Sequence, residues 1–351
     1  MHRREFLKST SIAALAAGTL PAAAATASGD LAAPAPRMLR LATPWADAVA
    51  GPGDHAQRLA ARIAAATSGR WNVEVAVAQN APGSVIGGDA ELCLAPERAN
   101  AARHRAFAWF SSLPSRIGLD ADAHAAWIAT GGGQELWDEL GADHNLKGLL
   151  AGWTGAAPAL WSRVPFATPS DLAGKRIAVE GLASDIVAGL GALPVTVAPD
   201  EIADALAAGE IDSAVAPDAS LWTRRRLLSA APYAYHSNLD RGGGAITLAT
   251  RRSFWDALTE GDRILLSALS AEAFAASFAE AAAEAAMAAA LPSDLLAPIA
   301  PLPAAIDEVI ERIAMSVVAE AAGADAISRR INHSYMSFRS RTRQREGDLV
   351  G

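Results

Sequence analysis

Between Asp171 and Pro217 short apolar runs alternate with helical stretches, and this pattern limits the folds open to the chain. Arg176-Ile177-Ala178-Val179 follows Gly174 and predicts a short buried strand. Ser184 to Leu190 reads as a helix, with Gly191 where a left-handed cap residue belongs. Pro194-Val195-Thr196-Val197 is β-branched and brief, a second strand. Pro199-Asp200-Glu201 opens another helix with acids at its positive end, and Gly209 closes it. Ile211 to Val215 supplies the next strand. Strands that alternate with helices form a parallel sheet, and ligands of such sheets lie outside the carboxyl ends of the strands. The fold class is α/β.

The chain has 351 residues, which suits two lobes better than one core. With 51% hydrophobic residues it can fill both. A formal charge of −8 gives no basic footprint, so nucleic acid is excluded as a partner. The single cysteine, Cys93, rules out an intramolecular disulfide and any cysteine-built metal or cluster site, and it reads as a buried strand thiol.

The first residues are an address. Arg3-Arg4 precede Phe6-Leu7-Lys8, an apolar segment runs from Ile12 to Leu20, and small residues end near Ala25-Thr26-Ala27. Residues 1–27 thus read as a twin-arginine export signal that is removed, leaving a periplasmic protein, and 28–37 as an Ala/Pro-rich linker. No later run reads as long and apolar enough to span a bilayer.

Beyond the linker, Met38 to Thr43 and Trp71 to Val77 read as strands around a helix from His55 to Ser68, with Asp54 as its cap. Glu91 to Ala95 and Trp109 to Pro114 read as further strands, and Gln134 to Leu140 as a helix. Leu149 to Gly155 is a strand that leaves the first lobe, and Ala245 to Thr250 is another. Ala271 to Ala290 is an uninterrupted Ala-rich helix, followed by helices at Ala304 to Ala321 and Ala326 to Arg339. Asp120, Asp122 and His124 are spaced like metal ligands, but the same residues suit the acidic first turn of a helix. Gly131-Gly132-Gly133 lacks the following Gly-Lys of a phosphate loop.

In order and spacing these segments resemble the periplasmic solute-binding proteins of TRAP transporters, the DctP-like family. The resemblance is nearest to the branch linked to 2-oxoacids, mannitol and chloroaromatic compounds. The segments that carry it are 51–75, 125–140, 167–181 (ATPSDLAGKRIAVEG), 190–212 (LGALPVTVAPDEIADALAAGEID), 251–266 and 334–343. The resemblance implies a two-lobed, type II-like binding protein with a cleft between the lobes and a long interlobe helix. It implies lobe I from 38–152 and 246–290, and lobe II from 153–245 and 291–351. It implies a small-molecule solute, TRAP permease subunits as partners, no cofactor and no catalysis. Homodimerisation through the C-terminal helices is compatible with the branch.

The chain departs from the family where its charge is expected. An arginine of the family stands where this chain has Ala178; Lys175 and Arg176 lie just upstream, and a short slip in alignment would bring Arg176 into the pocket. Trp153 replaces an asparagine, either as a stacking wall or as a core residue. The acid and tryptophan that help bind metal and ligand in the 2-oxoacid branch are gone from Asp212-Ser213-Ala214-Val215-Ala216, so no metal is expected. These departures predict a neutral, apolar or aromatic ligand, since an unpaired carboxylate is costly to bury. The ligand-binding candidates are Trp153, Ala178, Trp45, Arg176, Trp222, Tyr235, His236 and Asn238. A lone histidine such as His236 is more often structural. Two alternatives stay open: an exported enzyme, against which stand the missing G-x-S-x-G and H-E-x-x-H motifs, and a protein that presents its ligand to a sensor.

Overall fold

A computed structural model of the chain describes residues 35–45, 52–155, 159–216, 221–239, 243–290 and 299–350. The proposed signal and residues 28–34 of the linker lie outside the described residues, and Arg37, the last linker residue, is the first of β1 below.

Two sheets organise the chain. In sequence order the strands are β1 (Arg37–Thr43), β2 (Trp71–Val77), β3 (Leu92–Pro96), β4 (Leu146–Trp153), β5 (Ala159–Ser162), β6 (Arg176–Ala178), β7 (Leu193–Val195), β8 (Ser213–Ala216), β9 (Tyr233–His236), β10 (Ala245–Arg251) and β11 (Ala300–Pro301). The first sheet runs β2-β1-β3-β10-β4 and the second β11-β9-β5-β8-β6-β7. β1 is parallel to β2 and β3, whereas β10 is antiparallel to β3 and β4. In the second sheet β6 is parallel to β7 and β8, and β5 is antiparallel to β8 and β9. The chain leaves the first sheet after β4 and returns to it with β10. The strand–helix cassette expected at 171–217 is therefore the parallel part of the second sheet, although each strand is shorter or shifted by a residue or two.

The helices are α1 (Pro52–Ala66), α2 (Ala81–Gly87), α3 (Ala108–Ser111), α4 (Ala121–Thr130), α5 (Gly133–Asp143), α6 (Leu182–Gly189), α7 (Ile202–Ala208), α8 (Leu221–Ala230), α9 (Arg252–Ala257), α10 (Glu260–Ala290), α11 (Ala304–Gly323) and α12 (Ala326–Val350). Asp54 falls in the first turn of α1 rather than before it, so it faces the positive helix end as an acid and not as the expected cap. Asp120 does cap its helix, accepting from the Ala123 amide at 2.9 Å, which settles the Asp-Ala-Asp-Ala-His run as a helix start. The strand expected at Trp109–Pro114 is instead the short helix α3. Its Phe110 ring is stacked between Trp127 and Trp137, at 5.3 and 5.2 Å between centroids. Helical backbone carries the aromatic pair inward together, where a strand would send Trp109 and Phe110 to opposite faces.

The long helix α10 takes in the expected Ala271–Ala290 and the helical turns before it, 31 residues and about 46 Å in all. Its Glu260–Glu284 portion is long and apolar enough, by length and composition, to cross a membrane, contrary to expectation. In this fold it packs on β4 and α1, burying Leu266 and Leu269 in the core of the first sheet. Arg58 reaches from α1 to Glu280 on this helix at 2.7 Å. α11 packs on α6 of the second sheet's side. α12 packs instead on α4 and α5: the Tyr335 hydroxyl accepts from the Leu119 amide at 2.7 Å, and Trp127 Nε1 donates to Ser334 Oγ at 3.2 Å.

Candidate ligand-binding site

A cavity of about 70 Å³ lies between the two sheets, at the carboxyl ends of β3 and β4 from the first and of β6 and β8 from the second. The first sheet's side contributes Arg98, Ala108, Ser111, Ser112 and Thr154, and the second contributes Ala178, Val179, Glu180, Gly181, Leu182, Val197, Ile202 and Val215. Parallel strands leave their carboxyl ends free of one another, so the loops that follow them can wall a ligand. Arg98 lies two residues beyond β3 and Glu180 two residues beyond β6. Gly181, at φ 66°, turns the chain into α6, whose first residues line the cavity. A side chain other than glycine adopts that backbone only under strain.

Arg98 and Glu180 join the two walls: Arg98 Nε donates to Glu180 Oε2 at 2.8 Å. Their side chains keep 22% and 34% of their exposure, so the pair meets water as well as protein. The guanidinium runs beside the backbone of Gly244; a Cβ on that residue would stand 3.5 Å from Arg98 Nη1. Thr154 Oγ1 accepts from the Gly244 amide at 2.8 Å and fixes the floor between β4 and β10.

Beneath Arg98 the neighbouring Glu97 is fully buried, with Trp137 Nε1 and Asn100 Nδ2 donating to its two oxygens at 3.2 and 3.3 Å. Burial pushes its carboxyl up to about 7, against the pull of those bonds. His124 is also buried, donating from Nε2 to the Phe110 carbonyl at 3.2 Å, and burial pushes it down to about 4. Burial likewise lowers His55, which donates to the Ala151 carbonyl at 2.7 Å. Cys93 is a buried strand thiol, pushed up to about 12 by burial and then by the Glu97 charge.

Of the eight ligand-binding candidates, Ala178 lines this cavity. Arg176 does not. At the opposite end of β6 its Nε and Nη2 donate to Asp212, Nη2 also to the Gly209 carbonyl at 2.7 Å, and its amide to Asp212 at 2.8 Å. This grip holds the Asp212 carboxyl below the usual carboxylate range. Trp153 is buried among Ala121, Ala245, Phe274 and His124, with its amide donating to Ser277 Oγ at 3.0 Å. That is the core residue of the two readings the sequence left open. Trp45 is buried in the core of the first sheet. Tyr235 stacks on Phe166 and accepts from its amide at 3.0 Å. Asn238 donates to Asp307 at 2.7 Å, and His236 is exposed on β9. The side chain of Trp222 lies outside the described residues. Sequence reasoning missed Arg98 and Glu180, although both stand where a chain leaves the carboxyl end of a strand.

A model of the family described as DctP, bacterial extracellular solute-binding protein, family 7, matches residues 104–292. A monocarboxylate 2-oxoacid-binding periplasmic protein of Nostoc sp. is 25% identical over 346 residues, covering 97% of this chain and 94% of its own. Among solved structures, a TRAP periplasmic solute-binding protein of Pseudoalteromonas atlantica T6c with bound sodium and pyruvate is similar at a TM-score of 0.80. It is 21% identical and covers 88% of this chain and 95% of its own. A TRAP transporter solute-binding protein of Bordetella bronchiseptica RB50, with calcium and picolinate, is similar at a TM-score of 0.81 and 21% identity, covering 90% of this chain and 96% of its own. The matched segment takes in β4 through α10, and with them two of the three passages between the sheets and one whole wall of the cavity. The two-lobed α/β fold and that match agree: the chain belongs to the DctP family of bacterial extracellular solute-binding proteins.

Proposed function

We propose that this chain captures a small carboxylate-bearing solute in the periplasm, in the cavity between its two sheets, and hands it to a TRAP-type membrane permease. The observation that carries the reading is Arg98, a guanidinium placed in the cavity from the wall opposite Ala178. Guanidinium binds carboxylate through paired charge-assisted hydrogen bonds. The pyruvate and picolinate held by the similar proteins support an acid as ligand.

The neutral or aromatic ligand that Ala178 and Trp153 suggest loses half its basis, because Trp153 belongs to a core cluster. The size of the cavity also favours a small ligand: at about 10–15 Å³ per water-sized group, 70 Å³ takes only a handful. Asp212 is engaged by Arg176, Val215 lines the cavity, and among the described residues no three His, Cys, Asp or Glu side chains gather.

We assign lobe I to 38–152 and 246–290 and lobe II to 153–245 and 291–351, with α12 reaching back to lobe I. Export follows the twin-arginine route, with residues 1–27 removed. A binding role, not a catalytic one, agrees with the family's description as extracellular solute-binding proteins. Native mass spectrometry of the purified chain, followed by a thermal-shift screen of acids, amines and neutral solutes, tests the reading. A ligand specific to the folded form raises the melting temperature. Release of a small acid is expected; a released neutral aromatic, or no stabilisation by any acid, would sink it.

A further inference from the structure

We propose that the cavity is built for a small dipolar acid, one with an ammonium or hydroxyl group on the carbon next to its carboxylate, Arg98 taking the carboxylate and Glu180 the donor. The inference rests on the cavity being the solute site. Among the described residues, Arg98 and Glu180 are the only charged side chains that line it. They carry opposite signs, so the lining as a whole is neutral and matches a ligand whose own charges cancel or are half hydroxyl.

The pair is only partly saturated. Arg98 meets Glu180 through Nε, and the described contacts use one carboxylate oxygen, Oε2. A guanidinium has five donors in a planar fork, so Arg98 keeps an edge for a second carboxylate. Glu180 keeps an oxygen for a donor. Because the two groups are in contact, a ligand that serves both must carry its acid and its donor on neighbouring atoms.

Other acids fit less well. A 2-oxoacid sets its keto oxygen against the Glu180 carboxylate, acceptor against acceptor, and a site whose polar groups stay unpaired discriminates strongly. A dicarboxylate adds a like charge. A simple amine faces Arg98.

Pyruvate, L-lactate and L-alanine share a skeleton and differ only at the carbon beside the carboxylate, so they separate these cases. Calorimetric titration of the full chain is expected to show lactate and alanine binding at least about tenfold more tightly than pyruvate. Glu180→Gln keeps an acceptor for Arg98 but offers an amide donor in place of the charge. It is expected to weaken alanine, strengthen pyruvate and bring the ratio to within about threefold. Arg98→Met is expected to remove binding of all three by about a hundredfold or more, with melting curves confirming that both variants fold. Pyruvate binding as tightly as alanine and lactate in the unaltered chain overturns the proposal. So does a preference that survives Glu180→Gln, or binding of none of the three. In that last case, a different solute released from the folded chain and lost with Arg98→Met leaves the cavity standing as the solute site. If nothing is released and nothing binds, both readings fall.

Discussion

The chain contains two arginine–carboxylate pairs close to the same short strand, and they are bonded to different extents. Arg176–Asp212 lies within the second sheet, at the amino end of β6, and is closed: three side-chain contacts to Asp212 and Gly209 and one from the backbone bind it down. Arg98–Glu180 lies between the sheets, past the carboxyl ends of β3 and β6, and is held by Nε alone. The comparison teaches that position along a strand, not residue type, decides which guanidinium is open to a ligand. A saturated pair is a fastening, whereas a half-saturated one at the carboxyl ends keeps donors and an acceptor free, which is what the proposed ligand site needs.

The comparison would break most severely if the sheets were not held in their present relation. Gly243 sits at φ 83°, and a Cβ there would stand 2.1 Å from the Gly155 carbonyl oxygen. Gly243→Ala should therefore destabilise the fold by about 3 kcal/mol or more in denaturant unfolding, and weaken ligand binding with it. An unchanged midpoint would show that the passages between the sheets are slack.

Next in size is the fork itself. Arg98→Lys keeps the charge but loses the paired geometry, and should weaken carboxylate binding about tenfold by calorimetry. Equal affinity would reduce Arg98 to a point charge.

Glu97 sharpens the contrast from below. Its folded carboxyl titrates near 7, above the ordinary value of 4.5, so it favours folding most at low pH. That contribution is lost as pH rises from about 4.5 through 7, with a slope of up to about 1.4 kcal/mol per pH unit. His124 works in the other direction. Its value near 4 lies below the ordinary 6.5, so its contribution is complete above 6.5 and is lost as pH falls towards 4. The two slopes oppose each other across the middle of the range. Glu97→Gln should expose the histidine slope in unfolding measured from pH 5 to 7, and His124→Gln the glutamate slope. Parallel curves for both variants would contradict the burial of one or the other.

The smallest effect belongs to the closed pair. Arg176→Ala should leave ligand affinity within about twofold and reduce stability slightly at neutral pH. Because Asp212 is held below the ordinary carboxylate range, the deficit should shrink as pH falls through that range and the carboxyl is protonated. A large loss of affinity would make Arg176 the ligand's anchor and reverse the comparison.

Much of this molecule is legible in its sequence, and the parts that are not share a cause. The cassette at 171–217 declares itself because Gly191 and Gly209, both at positive φ, punctuate strands and helices too short to read otherwise. Asp120 declares its helix because capping is local chemistry. Trp153 and Arg176 could not be placed by local rules, since each is settled by contacts with residues far along the chain, Ser277 and Asp212. Arg98 and Glu180 were within reach. Both follow strands identified from the sequence, at the end where ligands of such sheets bind, whereas the departures from the family lie at Ala178, Trp153 and Asp212–Ala216.

The tight meeting of Gly155 and Gly243 also bears on how such a cavity can admit a solute. Two chain passages between the sheets touch at backbone distance, and Thr154 and Gly244 fasten them by hydrogen bonds at 2.8 and 3.0 Å. They form a two-ply strap, and a strap of that kind bends about one line and resists twisting. An opening that keeps this strap intact is a swing about that line, in which spin labels near 98 and 180 move apart while labels beside the strap keep their distance.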